Sequence, residues 1–486
     1  MPEDDLALPR VTPEEQGVAS TALLALVDAL EAVPEPHGLV VVTRGAVVAE
    51  GWWAPYGPER PHQLFSLSKT FTAIAVGLAE AEGLLSVDDL LLDHLSLEEG
   101  EPDPRLARMR LEHLLTMTTG HHEDTTERVI AEHDWVQAFL SLPVEHEPGT
   151  HFVYNTTATA MLSAVVQRVT GQRLLDYLTP RLLDPLGIAG ATWEQAPTGF
   201  DAGGFGLAAR TEDVARLGEL LRCDGVWRGR RLLPEGWVAR ASAARTPSVG
   251  TTVDWDQGYG YQLWRGRHGS FRGDGAFGQF CVVLPDQETV VAITGGTPDM
   301  QGVLDAIWAH LLPAVASAPL PPDPAAHARL VERLGSLRHD PPLGRPPHAG
   351  PWRGAIEAVV DPNPSGVTGL RVMTGDQHTL VSFGVGDTWQ TVPAPHGRWH
   401  PDEITLPWDL PARPGHREPV VAAARVDDHG DLRVTVRLIE TPFVADVRVS
   451  RDDEDLTVTG EANVAFGPTT TGPVRAWVSG EVPADA

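Results

Sequence analysis

Phe65-Ser66-Leu67-Ser68-Lys69-Thr70-Phe71-Thr72 holds the only lysine in a chain of 486 residues. Of the 37 lysine and arginine residues, every other one is arginine. Arginine stays protonated at any physiological pH, whereas a lysine amine can be tuned to lose its proton. A position that must act as a base cannot be filled by arginine. The lone lysine follows Ser66 by three residues, a spacing that puts both on one face of a helix. The pattern predicts a helix from Ser66 to Ala81, with Phe71, Ile74, Ala75 and Leu78 as its buried stripe and Gly83 as its stop. At the first turn the helix dipole favours an alkoxide on Ser66 and disfavours a protonated Lys69. Free N–H groups there can donate to an oxyanion. Burial by Phe65, Leu67 and Phe71 pushes the amine further toward neutrality.

Upstream, Thr21 to Val33 has helical spacing. Leu39 to Val42 and Val47 to Glu50 then read as a hairpin around Thr43-Arg44-Gly45. Downstream, the chain reads as mostly helical to about Leu221, with periodic stretches at Thr157–Thr170 and Thr211–Leu221. From Gly258 the pattern turns to strands; Gln279–Leu284 and Thr289–Thr294 flank a second hairpin. Met300 to Leu312 is the last amphipathic helix. Residues 1–318 therefore read as one helix-and-sheet domain. Residues 319–350 are rich in proline and histidine and read as a linker with one short helix near Ala325–Leu337. Residues 351–486 carry short alternating strands, which predict a small β-barrel or sandwich.

The bulk composition bounds partners more than fold. A formal net charge of −29 and a pI near 4.9 repel nucleic acid and anionic membranes. No apolar run is long enough to span a bilayer. Met1-Pro2-Glu3-Asp4 lacks the basic start of a signal peptide, and Cys223 and Cys281 sit in no metal or redox spacing. These features predict a cytoplasmic chain. His121-His122-Glu123-Asp124 has metal-ligand residue types, but no second cluster completes it in sequence, so a polar loop and no metal are expected. Gly203-Gly204-Phe205-Gly206 reads as a turn or a close backbone approach, and Tyr259, Tyr261 and Trp264 as strand packing or cleft lining.

Several ordered motifs now carry a resemblance. Phe65–Thr72 resembles the first motif of the serine β-lactamase-like superfamily, which includes class C β-lactamases, DD-peptidases, D-aminopeptidases and family VIII esterases. Leu111-Glu112-His113-Leu114-Leu115-Thr116-Met117-Thr118-Thr119-Gly120 resembles its helix-and-turn signature. Tyr154-Asn155-Thr156 is similar to its Tyr-x-Asn motif, and Pro185-Leu186-Gly187 to a recurrent turn. The resemblance covers about Leu39 to Leu312. It implies an antiparallel sheet flanked by helices with an all-helical insertion, an α/β (α+β) fold, and a lipocalin-like character for the appended β-domain.

The resemblance also implies site roles. Ser66 is the nucleophile, Lys69 its base and Tyr154 a second acid or base. A phenol beside a cationic amine is expected to have a depressed pKa. Asn155 and Thr156 are expected at the substrate, with Thr156 standing where asparagine is usual. The third motif is Gly273-Asp274-Gly275, in which Gly275 lets substrate lie close to the strand. By analogy the Ala276 N–H completes the oxyanion hole with that of Ser66. No cation holds the first position, and strand alternation is expected to turn Arg272 to the opposite face. Losing a charge-assisted carboxylate contact costs about 1.5–3 kcal/mol, which disfavours β-lactams and C-terminal D-Ala peptides. The expectation is a cofactor-free serine hydrolase of small esters. Its alternatives are an amide, peptide or lactam hydrolase, and a non-catalytic scaffold; a homodimer is a possible assembly.

Overall fold

The computed structural model describes residues 7–248, 252–349, 352–363, 366–375, 379–386, 388–405, 417–453 and 455–482. The chain divides into two compact units. The first comprises Met1–Trp52, Pro58–Gly295 and Asp299–Ser336. The second comprises Trp53–Gly57, Gly296–Pro298 and Leu337–Ala486. The division falls inside 319–350, and the helix of that segment, Pro324–Gly335, belongs to the first unit.

The first unit opens with helix α1 (Ser20–Ala32) and a hairpin of β1 (Pro36–Thr43) and β2 (Ala46–Trp52). Arg44 and Gly45 make its turn with φ of 49° and 80°, the left-handed pair that matches the twist of the flanking strands. Helix α2 (Ser68–Ala81) follows a single 3-10 turn, Phe65–Leu67. The helical insertion includes α3 (Thr156–Thr170) and leads to α4 (Thr211–Arg222). Strands β3 (Trp264–Arg265), β4 (Phe271–Gly275), β5 (Gln279–Leu284) and β6 (Thr289–Gly295) complete a six-stranded sheet in the order β2-β1-β6-β5-β4-β3. Every neighbouring pair in it is antiparallel.

Continuous apolar runs such as Leu39-Val40-Val41-Val42 and Val290-Val291-Ala292-Ile293 are buried throughout. Strands covered on both faces have no solvent side on which to alternate. Helix α4 lies on one face so closely that a Cβ at Gly218 would sit 2.4 Å from Val290 Cγ1. Helix α2 packs behind β4: Cβ atoms at Gly273 and Gly275 would meet Thr70 Oγ1 at 2.4 Å and Leu64 O at 2.0 Å. These two glycines let the strand approach the turn that carries Ser66.

Among the described residues, the second unit is a nearly closed, barrel-like sheet of ten antiparallel strands: β7 (Gly354–Val360), β8 (Val367–Thr374), β9 (Thr379–Val385), β10 (Thr388–Pro393), β11 (His400–Ile404), β12 (Glu418–Val426), β13 (Leu432–Leu438), β14 (Val444–Asp452), β15 (Asp455–Ala462) and β16 (Thr470–Val482). Their order is β10-β9-β8-β7-β16-β15-β14-β13-β12-β11. Its two end strands approach each other, with the Thr405 N–H donating to Gln390 Oε1 at 3.4 Å.

Candidate active site

The 3-10 turn Phe65–Leu67 and the first residues of α2 bring Ser66 and Lys69 together. Phe65 takes a φ of 47°, a left-handed conformation uncommon for a bulky residue and typical of tight functional turns. Lys69 is 1% exposed. Its Nζ lies 2.9 Å from Ser66 Oγ, 3.2 Å from Thr156 Oγ1 and 2.7 Å from the Gly204 carbonyl oxygen. Burial pushes the amine down to about 7, against the opposing pull of Asp124 and Asp274.

The close approach expected around Gly204 is real. A Cβ at Gly204 would lie 2.5 Å from the Thr156 carbonyl oxygen, and one at Gly203 would lie 2.7 Å from Ser163 Cβ. The segment is stitched to the start of α2. Thr72 Oγ1 donates to Gly203 O at 2.8 Å, and the Leu207 N–H donates to Ser68 Oγ at 3.1 Å.

Tyr154 lies across from the amine, with Lys69 Nζ 4.9 Å from its ring centre, and its hydroxyl hydrogen-bonds with the Ser66 side chain. The ring stacks on Trp264 at 5.4 Å and meets Tyr259 edge-on at 6.1 Å. These two aromatic residues, whose role the sequence leaves undecided, thus hold the ring in place. The expected depression of the phenol does not occur. Burial, then the charge of Asp274, hold it well above its ordinary value, outweighing the Ser66 hydrogen bond. A packed phenol loses more from desolvation of its anion than it gains from a neighbour that is itself driven neutral.

Asn155, expected at the substrate, also has a structural role at the start of α3. It is 0% exposed and caps α3. Its Oδ1 accepts from the Thr157 N–H at 3.2 Å, from Thr157 Oγ1 at 2.8 Å and from Thr125 Oγ1 at 3.0 Å. Capping turns its carboxamide into the protein, while Thr156, the next residue, turns its hydroxyl to Lys69.

On β4, alternation separates two pairs. Gly273 and Gly275 face α2, while Arg272 and Asp274 share the other side, where Arg272 Nε donates to Asp274 Oδ2 at 3.0 Å. Arg272 thus lies on the face opposite Gly273, as alternation predicts, and that face borders Tyr154. Its charge acts on Tyr154, and that of Asp274 acts on both Tyr154 and Lys69. Two of the three guanidinium nitrogens are engaged, Nε by Asp274 and Nη1 by Asp254 O at 3.0 Å, and the group lies 4.4 Å from the Trp255 ring centre, while Nη2 is buried with no hydrogen-bond partner among the described residues. Burial raises the Asp274 carboxyl, against the pull of Arg272. Ala276 sits in the turn after β4. The residues beside the two expected oxyanion N–H groups, Phe65 and Phe277, meet edge-on at 5.6 Å, which ties that turn to the one that carries Ser66.

The His121–Asp124 loop also differs from expectation. His121 is buried, packs on Phe139 at 5.1 Å and is pushed down to about 4 by burial. His122 instead faces His146 and His151, a grouping hidden by their distance along the chain. The ligand atoms of these three rings all lie within 4.8 Å of one another. No helix among the described residues is long and apolar enough to cross a membrane.

Sequence and structure comparisons identify the family and the fold. The sequence model of the family described as Beta-lactamase matches residues 23–312, and the chain belongs to that family. It is a hydrolase of the serine β-lactamase fold. It is similar to the 6-aminohexanoate-dimer hydrolase of Paenarthrobacter ureafaciens, 27% identical over 323 residues, covering 59% of this chain and 80% of that protein. It also matches protein flp of Staphylococcus aureus (strain MW2), 26% identical over 167 residues, 33% of this chain and 34% of that one. The octameric penicillin-binding protein homologue from Pyrococcus abyssi has a similar fold, with a TM-score of 0.50 and 15% identity over 94% of this chain and 98% of that one.

Proposed function

We propose that the chain hydrolyses small carboxylic esters through an acyl-enzyme on Ser66, with Lys69 as the base. The observation that carries this is the arrangement around Lys69 Nζ. A neutral amine has two N–H donors and one lone pair. The Gly204 carbonyl and the Thr156 hydroxyl accept the two donors, at 2.7 Å and 3.2 Å. The remaining direction is that of Ser66 Oγ at 2.9 Å, so the lone pair faces the hydroxyl proton. An amine brought to about 7 is substantially neutral at physiological pH, which is where a general base works best.

The steps follow. Lys69 takes the Ser66 proton as Oγ attacks the substrate carbonyl carbon. The Ser66 and Ala276 N–H groups receive the oxyanion. Tyr154, kept protonated by burial, gives its proton to the leaving oxygen as the tetrahedral centre collapses, and takes one back from the neighbouring Lys69 ammonium. Water then attacks the acyl-enzyme by the same route in reverse and releases the acid. The acyl group is expected to be uncharged, because the third motif begins with glycine and the neighbouring guanidinium is engaged by Asp274.

Hydrolysis of a linear amide is a second reading, favoured by the similarity to 6-aminohexanoate-dimer hydrolase. A panel of p-nitrophenyl esters, the linear dimer of 6-aminohexanoate and nitrocefin separates the readings. Ester turnover that vanishes in Ser66→Ala, with little on nitrocefin, supports the ester reading. Faster turnover of the dimer replaces it with the amide reading. Failure of Ser66 to label with a fluorophosphonate ends both.

A further inference from the structure

We infer that His122, His146 and His151 form a site for one divalent metal ion of the zinc class, separate from the Ser66 centre. Two segments build it. The first, 117–122, ends in His122; the second, 144–154, carries His146 and His151. Backbone bonds pin the two together: Val153 N–H to Met117 O at 2.9 Å, Gly149 N–H to Thr118 O at 2.7 Å and His146 N–H to Gly120 O at 2.8 Å. Gly120 has a φ of 90°, and a Cβ there would lie 2.4 Å from His146 O. Only glycine allows this approach, and the approach brings His122 to the other two rings.

The distances suit an ion. Two nitrogens, each about 2.0–2.1 Å from a tetrahedral zinc ion, stand roughly 3.3 Å apart. His122 Nδ1 and His146 Nε2 stand 3.1 Å apart. The His146 and His151 ring centres are 4.2 Å apart, and His122 and His151 are parallel within 3° at 6.0 Å. The hydrogen-bond and ring partners of these imidazoles are one another. A rotation about the half-buried His151 side chain closes the third contact.

The donor set selects the metal. Three neutral imidazoles suit zinc, nickel and copper, whereas calcium and magnesium take oxygen ligands. Water completes the shell, since His122 is exposed. Glu145 borders the cluster, its Oε2 accepting from the His122 backbone N–H at 3.1 Å, and the chain's charge of −29 favours cation capture. An ion here cross-links the segment leading to Asp124 with the segment leading to Tyr154, both of which act on Lys69 or Ser66.

The test uses the tag-free full chain, stripped with chelator, and zinc titrated against a chromogenic competitor. Wild type is compared with His122→Ala, exposed and the least disruptive change, and with His151→Ala, each checked for native circular dichroism. Wild type is expected to bind one more equivalent than either variant, or to bind that equivalent at least ~100-fold more tightly, since even outer-shell losses cost ~10–100-fold. Cobalt is expected to give a visible absorption band that both variants lose. Equal stoichiometry and affinity in all three proteins, or a cobalt band indifferent to both substitutions, overturns the site.

Discussion

The Gly204 carbonyl oxygen accepts a hydrogen bond from Lys69 Nζ at 2.7 Å, across 135 residues of sequence. That one backbone atom, with Thr156 Oγ1, decides where the amine's lone pair points. Gly204→Ala places a Cβ 2.5 Å from the Thr156 carbonyl and 2.8 Å from its Cγ2, so backbone must move. Overpacking of this kind costs about 1–3 kcal/mol, and the moved carbonyl no longer orients the amine. We expect kcat to fall by ~10–100-fold with KM little changed, because a misplacement of about 1 Å can cost ~100-fold. Steady-state kinetics beside a thermal melt checks this. A variant with a lower melting point and unaltered kcat removes Gly204 from the argument.

Lys69→Arg keeps the charge and deletes the base. A guanidinium remains protonated at every pH where the protein folds. Turnover of the ester is expected to drop by at least ~10³-fold, on the scale seen when one member of a catalytic triad is lost. Near-normal rates in the arginine variant rule out the lysine as base.

Tyr154→Phe discriminates by leaving group. Burial keeps the phenol protonated, so its task is to donate. An alkoxide or amide nitrogen needs that proton, whereas p-nitrophenolate leaves without it. The loss is expected at ~10²–10⁴-fold for an alkyl ester, the usual worth of general acid catalysis, and much smaller for the p-nitrophenyl ester. Equal losses on both substrates assign Tyr154 to positioning alone.

Asn155→Ala is expected to act on stability, not on binding. The substitution removes the α3 cap and the acceptor shared by the Thr125 and Thr157 hydroxyls. An N-cap alone is worth about 0.5–2 kcal/mol. Urea unfolding reports that loss, while KM on the ester panel stays within about twofold. A KM that rises tenfold at unchanged stability would return Asn155 to the substrate.

What the sequence makes legible is local. Ser66 and Lys69 lie one helical turn apart, so their meeting needs no tertiary knowledge, and Tyr154 comes with its motif. The Gly204 acceptor is invisible in sequence because it is a backbone oxygen, common to every residue; only a cluster of glycines hints at it. Alternation places Arg272 opposite Gly273 correctly, but it fixes only which residues share a face, so the nearness of that face to Tyr154 is not legible in the sequence. Of the ten barrel strands, seven coincide with alternating runs in the sequence. Val367–Thr374, Thr388–Pro393 and His400–Ile404 do not stand out. Gly369 interrupts the first, and Pro393 and Pro401 lie in the other two, which are the end strands. Proline is tolerated at a sheet edge because the missing N–H has no partner to lose. The histidine cluster escapes a sequence reading because His122 and His146 lie 24 residues apart, and the close approach at Gly120 folds that distance away.

The acid limb of activity should report the Lys69 amine. Burial sets it at about 7, so kcat/KM is expected to be low in acid, where the amine is protonated, and to rise with pH through about 7. The charges of Asp124 and Asp274 pull the other way and favour the protonated form. Asp274→Asn removes one of them and also frees the buried Arg272 charge, which repels a protonated amine. Both changes disfavour the ammonium, so the rising limb must move to lower pH. The pH profile of kcat/KM for wild type and Asp274→Asn decides the matter, and a limb that moves to higher pH means another group governs it.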